Sequence, residues 1–196
     1  MHILLKNILK EAVAKEDGEN PLKIQLYVDM DGVLVDLDGG FKKITTMTPK
    51  EYSKKNGKNA FWDVVEKNPN FWLNLDPLPD AKILWDFVKD NFKNPTPIIL
   101  SAGQGSNVKK QKEAWIRKYI DSTVEVRIAT SGYLKSNYAT KIPNVMNVLL
   151  DDTGPGDVED GRPDNITAWE NVSGNIAIHH TDTASSIQKI RDILSI

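Results

Sequence analysis

The chain has 196 residues, a formal net charge of −2, 40% hydrophobic and 27% charged residues, and no cysteine. That length and balance fit a single compact domain with a sizeable core and exclude a disordered chain. Slight acidity argues against a surface given over to nucleic acid, and the lack of thiols excludes disulfides and thiolate metal sites, as suits a reducing cytoplasm.

In chain order, Leu5, Ile8, Leu9, Ala12 and Val13 form the stripe of an amphipathic helix, which Gly18 and Pro21 end. Residues 1–22 are therefore expected to be a helix and linker docked on the domain's own surface. Lys6 interrupts the apolar start, so no signal-peptide core is present, and no stretch is long enough to span a bilayer. Ile24 to Val28 then reads as a strand, and it stops at Asp29-Met30-Asp31-Gly32. Two carboxylates so placed can divide the labour of phosphoryl transfer, one as nucleophile and one as acid/base.

The interval that follows is too long for a simple crossover, and residues 37–95 are expected to form a small helical cap and a helix returning to the sheet. Thr48-Pro49-Lys50-Glu51 is a capping box with proline at the first helical position. Phe61-Trp62 and Phe71-Trp72 are two aromatic pairs that can fill the cap's own core or face a substrate, with Trp62 the first candidate for contact. Asp80 is placed to cap the return helix, with Ile83, Leu84, Phe87 and Val88 inward.

Residues 97–100 form a second strand-like run, ending at Ser101-Ala102-Gly103. Ser106 is expected to cap a helix carrying Val108, Trp115 and Ile116 inward. Lys109, Lys110, Lys112, Arg117 and Lys118 on that helix read as a solvated basic face rather than a polynucleotide groove, because Glu113 interrupts them. Further strands are expected at 124–128, 146–150 and 175–178. The fourth stops at Asp151-Asp152; Lys135 and Lys141 lie before it. The fifth runs into His179 and His180, read as structural. Thr181 or Thr183 would cap the last helix, with Ile187, Ile190, Ile193 and Leu194 inward.

Alternating strands and helices predict an α/β protein: a doubly wound, Rossmann-like parallel sheet built from residues 23–36 and 96–196, with the cap inserted after the first strand. In such sheets ligands bind beyond the carboxyl ends of the strands. Three of those ends carry polar chemistry here.

Asp29-x-Asp31, Ser101, a following lysine, and Asp151-Asp152 together resemble the four motifs of the haloacid dehalogenase-like phosphohydrolase superfamily, over residues 24–194. The resemblance implies Asp29 as nucleophile, Asp31 as acid/base, and Ser101, Ala102 and a lysine around the phosphate. Lys135 in Lys135-Ser136-Asn137-Tyr138-Ala139 fits that lysine, with Lys141 as the second choice. It also implies magnesium held at Asp29, Asp31, Asp151 and Asp152, and adjacent first and fourth strands. A phosphate monoester is a dianion that repels a carboxylate nucleophile, so a hard cation with oxygen ligands suits the chemistry.

Leu73 to Ala81 and Glu113 to Tyr119 further resemble 5'(3')-deoxyribonucleotidases, in which an aromatic wall meets the nucleobase. Their arginine-proline-x-asparagine turn is kept as Arg162-Pro163-Asp164-Asn165, with Trp169 after it, but Thr153 to Asp160 stand inserted before it. The insertion reads as a solvated loop, or as the source of a further carboxylate, so Asp151, Asp152 and Asp157 all stay open as direct metal ligands. The expected function is a magnesium-dependent 5'-nucleotidase acting on nucleoside monophosphates. Alternatives are a phosphatase for a polynucleotide end or a small phosphorylated metabolite, and a receiver-like signalling module. The last is disfavoured by the order of the acidic motifs and by the cap.

Overall fold

The structure is a computed structural model and describes residues 22–57, 59–157 and 161–194. Apart from Leu22, the N-terminal helix and linker expected at 1–22 lie outside the described residues. The elements run β1 (Lys23–Val28), α1 (Leu37–Thr45), α2 (Pro49–Asn56), α3 (Ala60–Lys67), a 3₁₀ turn (Trp72–Asn74) and α4 (Ala81–Asn91). Then follow β2 (Ile98–Ala102), α5 (Ser106–Tyr119), β3 (Glu125–Ala129), a 3₁₀ helix (Gly132–Tyr138), β4 (Val145–Asp151), α6 (Asn165–Glu170), β5 (Asn175–His179) and α7 (Thr183–Leu194).

The five strands form one parallel sheet in the order β3-β2-β1-β4-β5, a Rossmann-like arrangement in which the winding reverses between β1 and β4. All five expected strands are present. Alternate residues face opposite sides: Tyr27, Ile98, Leu100 and Leu149 pack on Trp169 of α6, whereas Leu26, Val28, Ile99, Val148 and Leu150 pack with α4, α5 and α7. Both faces are covered, which is why the strands read as nearly unbroken apolar runs. Val28 pairs with Leu150, and Asp151 with His179, so the strands' polar sequels emerge side by side at one edge.

Local signals decide most helix starts. Thr48 and Glu51 form both halves of the capping box at α2. Three details differ from expectation. Ser106 is the first residue of α5, with Gly105 at the N-cap, and the start of α7 is capped by Asp182, whose Oδ1 accepts from the Ser185 N–H at 2.8 Å, rather than by a threonine. In α4 the buried side chains are Ala81, Leu84, Trp85 and Val88, and Ile83 is 62% exposed, because the large Trp85 ring takes the inward direction. Between β1 and α4, Phe41, Phe61, Phe71 and Trp72 form a cluster of mostly edge-on rings that is continuous with the main core. No helix among the described residues is long and apolar enough to cross a membrane.

Candidate active site at the carboxyl edge of the sheet

Just past β1, the Asp29 N–H donates to the Leu150 carbonyl at 2.8 Å, which extends the β1–β4 pairing by one step and sets Asp29 beside the end of β4. Carboxylate oxygens of Asp29, Asp151 and Asp152 thereby come within 4.8 Å of one another. Lys135, delivered by the 3₁₀ helix and 1% exposed, places its Nζ 2.8 Å from Asp29 Oδ1 and 2.6 Å from Asp151 Oδ2. Lys141 is exposed and takes no part.

The two neighbouring aspartates of β4 are held differently. Asp151 is saturated: its Oδ1 accepts from the Thr153 N–H at 3.0 Å and from Asn165 Nδ2 at 2.9 Å, while Oδ2 takes Lys135. Among the described residues, Asp152 has only a long 3.4 Å bond from the Thr153 hydroxyl. Asp157 lies away from both, paired with Lys50 of α2 at 3.0 Å and capping the Gly154 N–H at 3.0 Å. Of the three aspartates left open by the sequence, Asp152 is thus the least committed, and Asp157 lies outside the cluster.

Burial pushes the Asp29 carboxyl up to about 7, with the Asp151 and Asp31 charges acting the same way and Lys135 opposing. Asp152 is raised well above the usual carboxylate range, first by burial and then by Asp29 and Asp151. Burial disfavours the Lys135 ammonium, but Asp151 and Asp29 together hold its pKa above that of an ordinary lysine. Two buried carboxylates and a partly buried third against one ammonium leave excess negative charge on oxygen donors alone. That set of three could hold a hard cation.

Gly32 closes this cluster from the other side. Its φ is +72°, and a Cβ there would lie 1.9 Å from Asp152 Oδ2. Gly32→Ala should therefore displace the Asp152 carboxylate as well as strain the backbone by about 1–3 kcal/mol. The expected result is a lower melting temperature that Mg2+ no longer raises as it does in the parent; an unchanged response to Mg2+ would separate Asp152 from the cation site.

A second constellation sits behind the first. Lys112, read from the sequence as part of a solvated basic face, is fully buried. Its ammonium donates to Asp31 Oδ2, to Ser101 Oγ at 3.0 Å and to the Ala102 carbonyl at 2.7 Å, and lies 3.9 Å from the Trp72 ring centre. The correction has a periodic cause: position 112 falls four residues after Val108 and three and four before Trp115 and Ile116, on the inward stripe of α5. The charge run obscured that stripe. Asp31, also assigned to the metal by the resemblance, has its carboxylate turned to Lys112; its Oδ1 is buried without a partner among the described residues. Ser101 is wholly buried and bonded to Lys112 and, at 3.5 Å, to Asp31.

Asp29, Asp31, Lys135 and Asp152 floor a cleft of about 370 Å³. Phe61, Trp62 and Trp72 line one wall, while Phe71, 3% exposed, stays within the ring cluster. Ser131, Tyr133, Arg162 and Asn165 also line it, with the Arg162 guanidinium 5.1 Å from the Tyr133 ring centre. Ala102, Gly103 and Gln104 border the cleft after β2, whereas Ser101 does not reach it. Sequence reasoning passed over Tyr133 and Gln104, which no motif marks.

Comparison with known protein families, with curated proteins and with solved structures returns no match for this chain.

Proposed function

We propose that the chain is a magnesium-dependent phosphomonoesterase of the haloacid dehalogenase-like type, acting through an aspartyl-phosphate on Asp29, and that its substrates are nucleoside monophosphates. The observation that carries this reading is the Asp29 carboxylate, buried against Lys135 and two further carboxylates at the floor of a cleft with one aromatic wall. Helices α1 to α3 would then be the cap. A bound Mg2+ at Asp29, Asp152 and Asp151 would supply Lewis-acid stabilisation of charge on the phosphoryl oxygens.

The chain's own groups account for the rest. Asp29 Oδ1 accepts from the Met30 N–H at 2.7 Å and faces Lys135, and among the described residues no hydrogen bond engages Oδ2, which is the oxygen free to attack phosphorus. In the first step the Asp29–phosphorus bond forms, the ester oxygen leaves, and a proton passes to it from Asp31. In the second, Asp31 takes a proton from water, the water oxygen bonds to phosphorus, and Asp29 is released. Lys112 holds Asp31 Oδ2 and so fixes the orientation of the carboxylate from which the proton moves. Lys135 supplies positive charge where negative charge builds on the transferring group.

The aromatic wall favours a planar base over a sugar phosphate, and Ser131, Arg162 and Asn165 are polar groups of the same cleft. Phosphate release from a panel of nucleoside monophosphates, sugar phosphates and 3'-phosphorylated oligonucleotides, with Mg2+ and with chelator, tests both reaction and substrate. Release that needs Mg2+ and is fastest on mononucleotides is expected. Metal-independent release, or none from any monoester, would end the proposal.

A further inference from the structure

Resting on the reading above, we propose that His179 is a positioning residue for Asp152, and hence for the cation site. His179 closes β5 opposite Asp151. Its ring Nε2 lies 3.0 Å from the Asp152 carbonyl oxygen. A carbonyl only accepts, so Nε2 carries the hydrogen and the tautomer follows from the partner. The ring lies flat against the turn that leaves β4: a Cβ on Gly154 would stand 2.6 Å from His179 Cε1. The far side of His179 is anchored as well, since its own carbonyl accepts from Lys189 Nζ of α7 at 2.8 Å.

This grip falls where it decides most. Asp151 has both carboxylate oxygens committed, and its backbone carbonyl accepts from the His180 N–H at 2.8 Å. Asp152, one residue on, has left the sheet ladder, and among the described residues its side chain is held only by the 3.4 Å bond from Thr153. Where its carboxylate points is therefore set by the orientation of its own peptide, and the His179 side chain pins that peptide's carbonyl. Gly32 on one side and His179 on the other clamp the aspartate in place. Partners that act on a metal ligand in this indirect way change cation affinity more than they change the fold.

Two variants of the full chain separate the hydrogen bond from the packing. His179→Phe keeps a flat ring and removes the donor; His179→Gln keeps an N–H donor on a different frame. Mn2+ affinity measured by calorimetry, beside kcat and KM for p-nitrophenyl phosphate, is the readout. His179→Phe is expected to weaken Mn2+ binding about 10–100-fold, with KM near that of the parent at saturating metal, and His179→Gln to recover most of the affinity. If the phenylalanine variant does not fold, His179→Leu takes its place. Parent-like Mn2+ affinity in the donor-less variant overturns the inference, as does equal loss in both variants. A parent chain that binds Mn2+ and hydrolyses the ester while His179→Phe is unaffected leaves the phosphatase reading standing; a parent chain that does neither removes both.

Discussion

Asp29→Asn should abolish phosphate release, by roughly 10⁴-fold or more, while leaving the cation-free protein at least as stable as its parent. The loss follows because an amide cannot attack phosphorus as a carboxylate does. The stability result follows from the neighbours: Asp29 is buried beside Asp151 and Asp152, and its carboxyl is pushed up to about 7 from an ordinary value of 3.8. Between those two values the folded chain keeps a proton that the unfolded chain has lost. The contribution is therefore fully present below 3.8 and is lost as pH rises through 7, with about 1.4 kcal/mol for each unit of difference between the two states. Cation-free protein should weaken over that window, Asp29→Asn should flatten the dependence, and Mg2+ should protect the parent most at its alkaline end. Urea midpoints at about pH 5 and about pH 8, with chelator and with Mg2+, measure all three. A parent whose stability rises steadily across the window without metal would mean that Asp29 is not held among like charges.

Lys112→Met should destabilise the fold by about 3–5 kcal/mol, because it leaves the Asp31 carboxylate and the Ser101 hydroxyl without their shared ammonium in a buried setting. It should also remove activity, since nothing would then hold the Asp31 carboxylate in its orientation at the cleft. Pairing it with Asp31→Asn removes the stranded charge and should restore much of the stability without restoring turnover. Denaturant midpoints for the two single variants and the double one give the coupling directly. A loss below about 1 kcal/mol for Lys112→Met is the behaviour of an exposed ion pair and would return Lys112 to the solvated face first expected of it.

That residue shows where sequence reading succeeded and where it stopped. The helical period of Val108, Trp115 and Ile116 already placed position 112 inward, but a lysine among lysines reads as solvent-facing until its partner is known, and the partner, Asp31, belongs to another element. The aromatic pairs behaved in the same way. Spacing alone does not say which ring meets the cleft; the packing of Phe41, Phe61 and Phe71 turned Phe71 inward and left Phe61 and Trp62 on the wall. Within the inserted loop, Asp157 carried the right chemistry for the cluster but found Lys50 instead.

Five strands and the carboxylates that follow β1 and close β4 were readable in the chain itself, because burial on both faces demands nearly unbroken apolar runs, which stand out between the helical segments. The motif resemblance already implied that β1 and β4 are neighbours and that Lys135 joins Asp29 and Asp151, although no local spacing encodes that pairing. What only the tertiary structure decided was company: Lys112 meets Asp31, Asp157 meets Lys50 and His179 meets the Asp152 carbonyl, because each partner lies on a distant segment that the packed fold alone brings within reach.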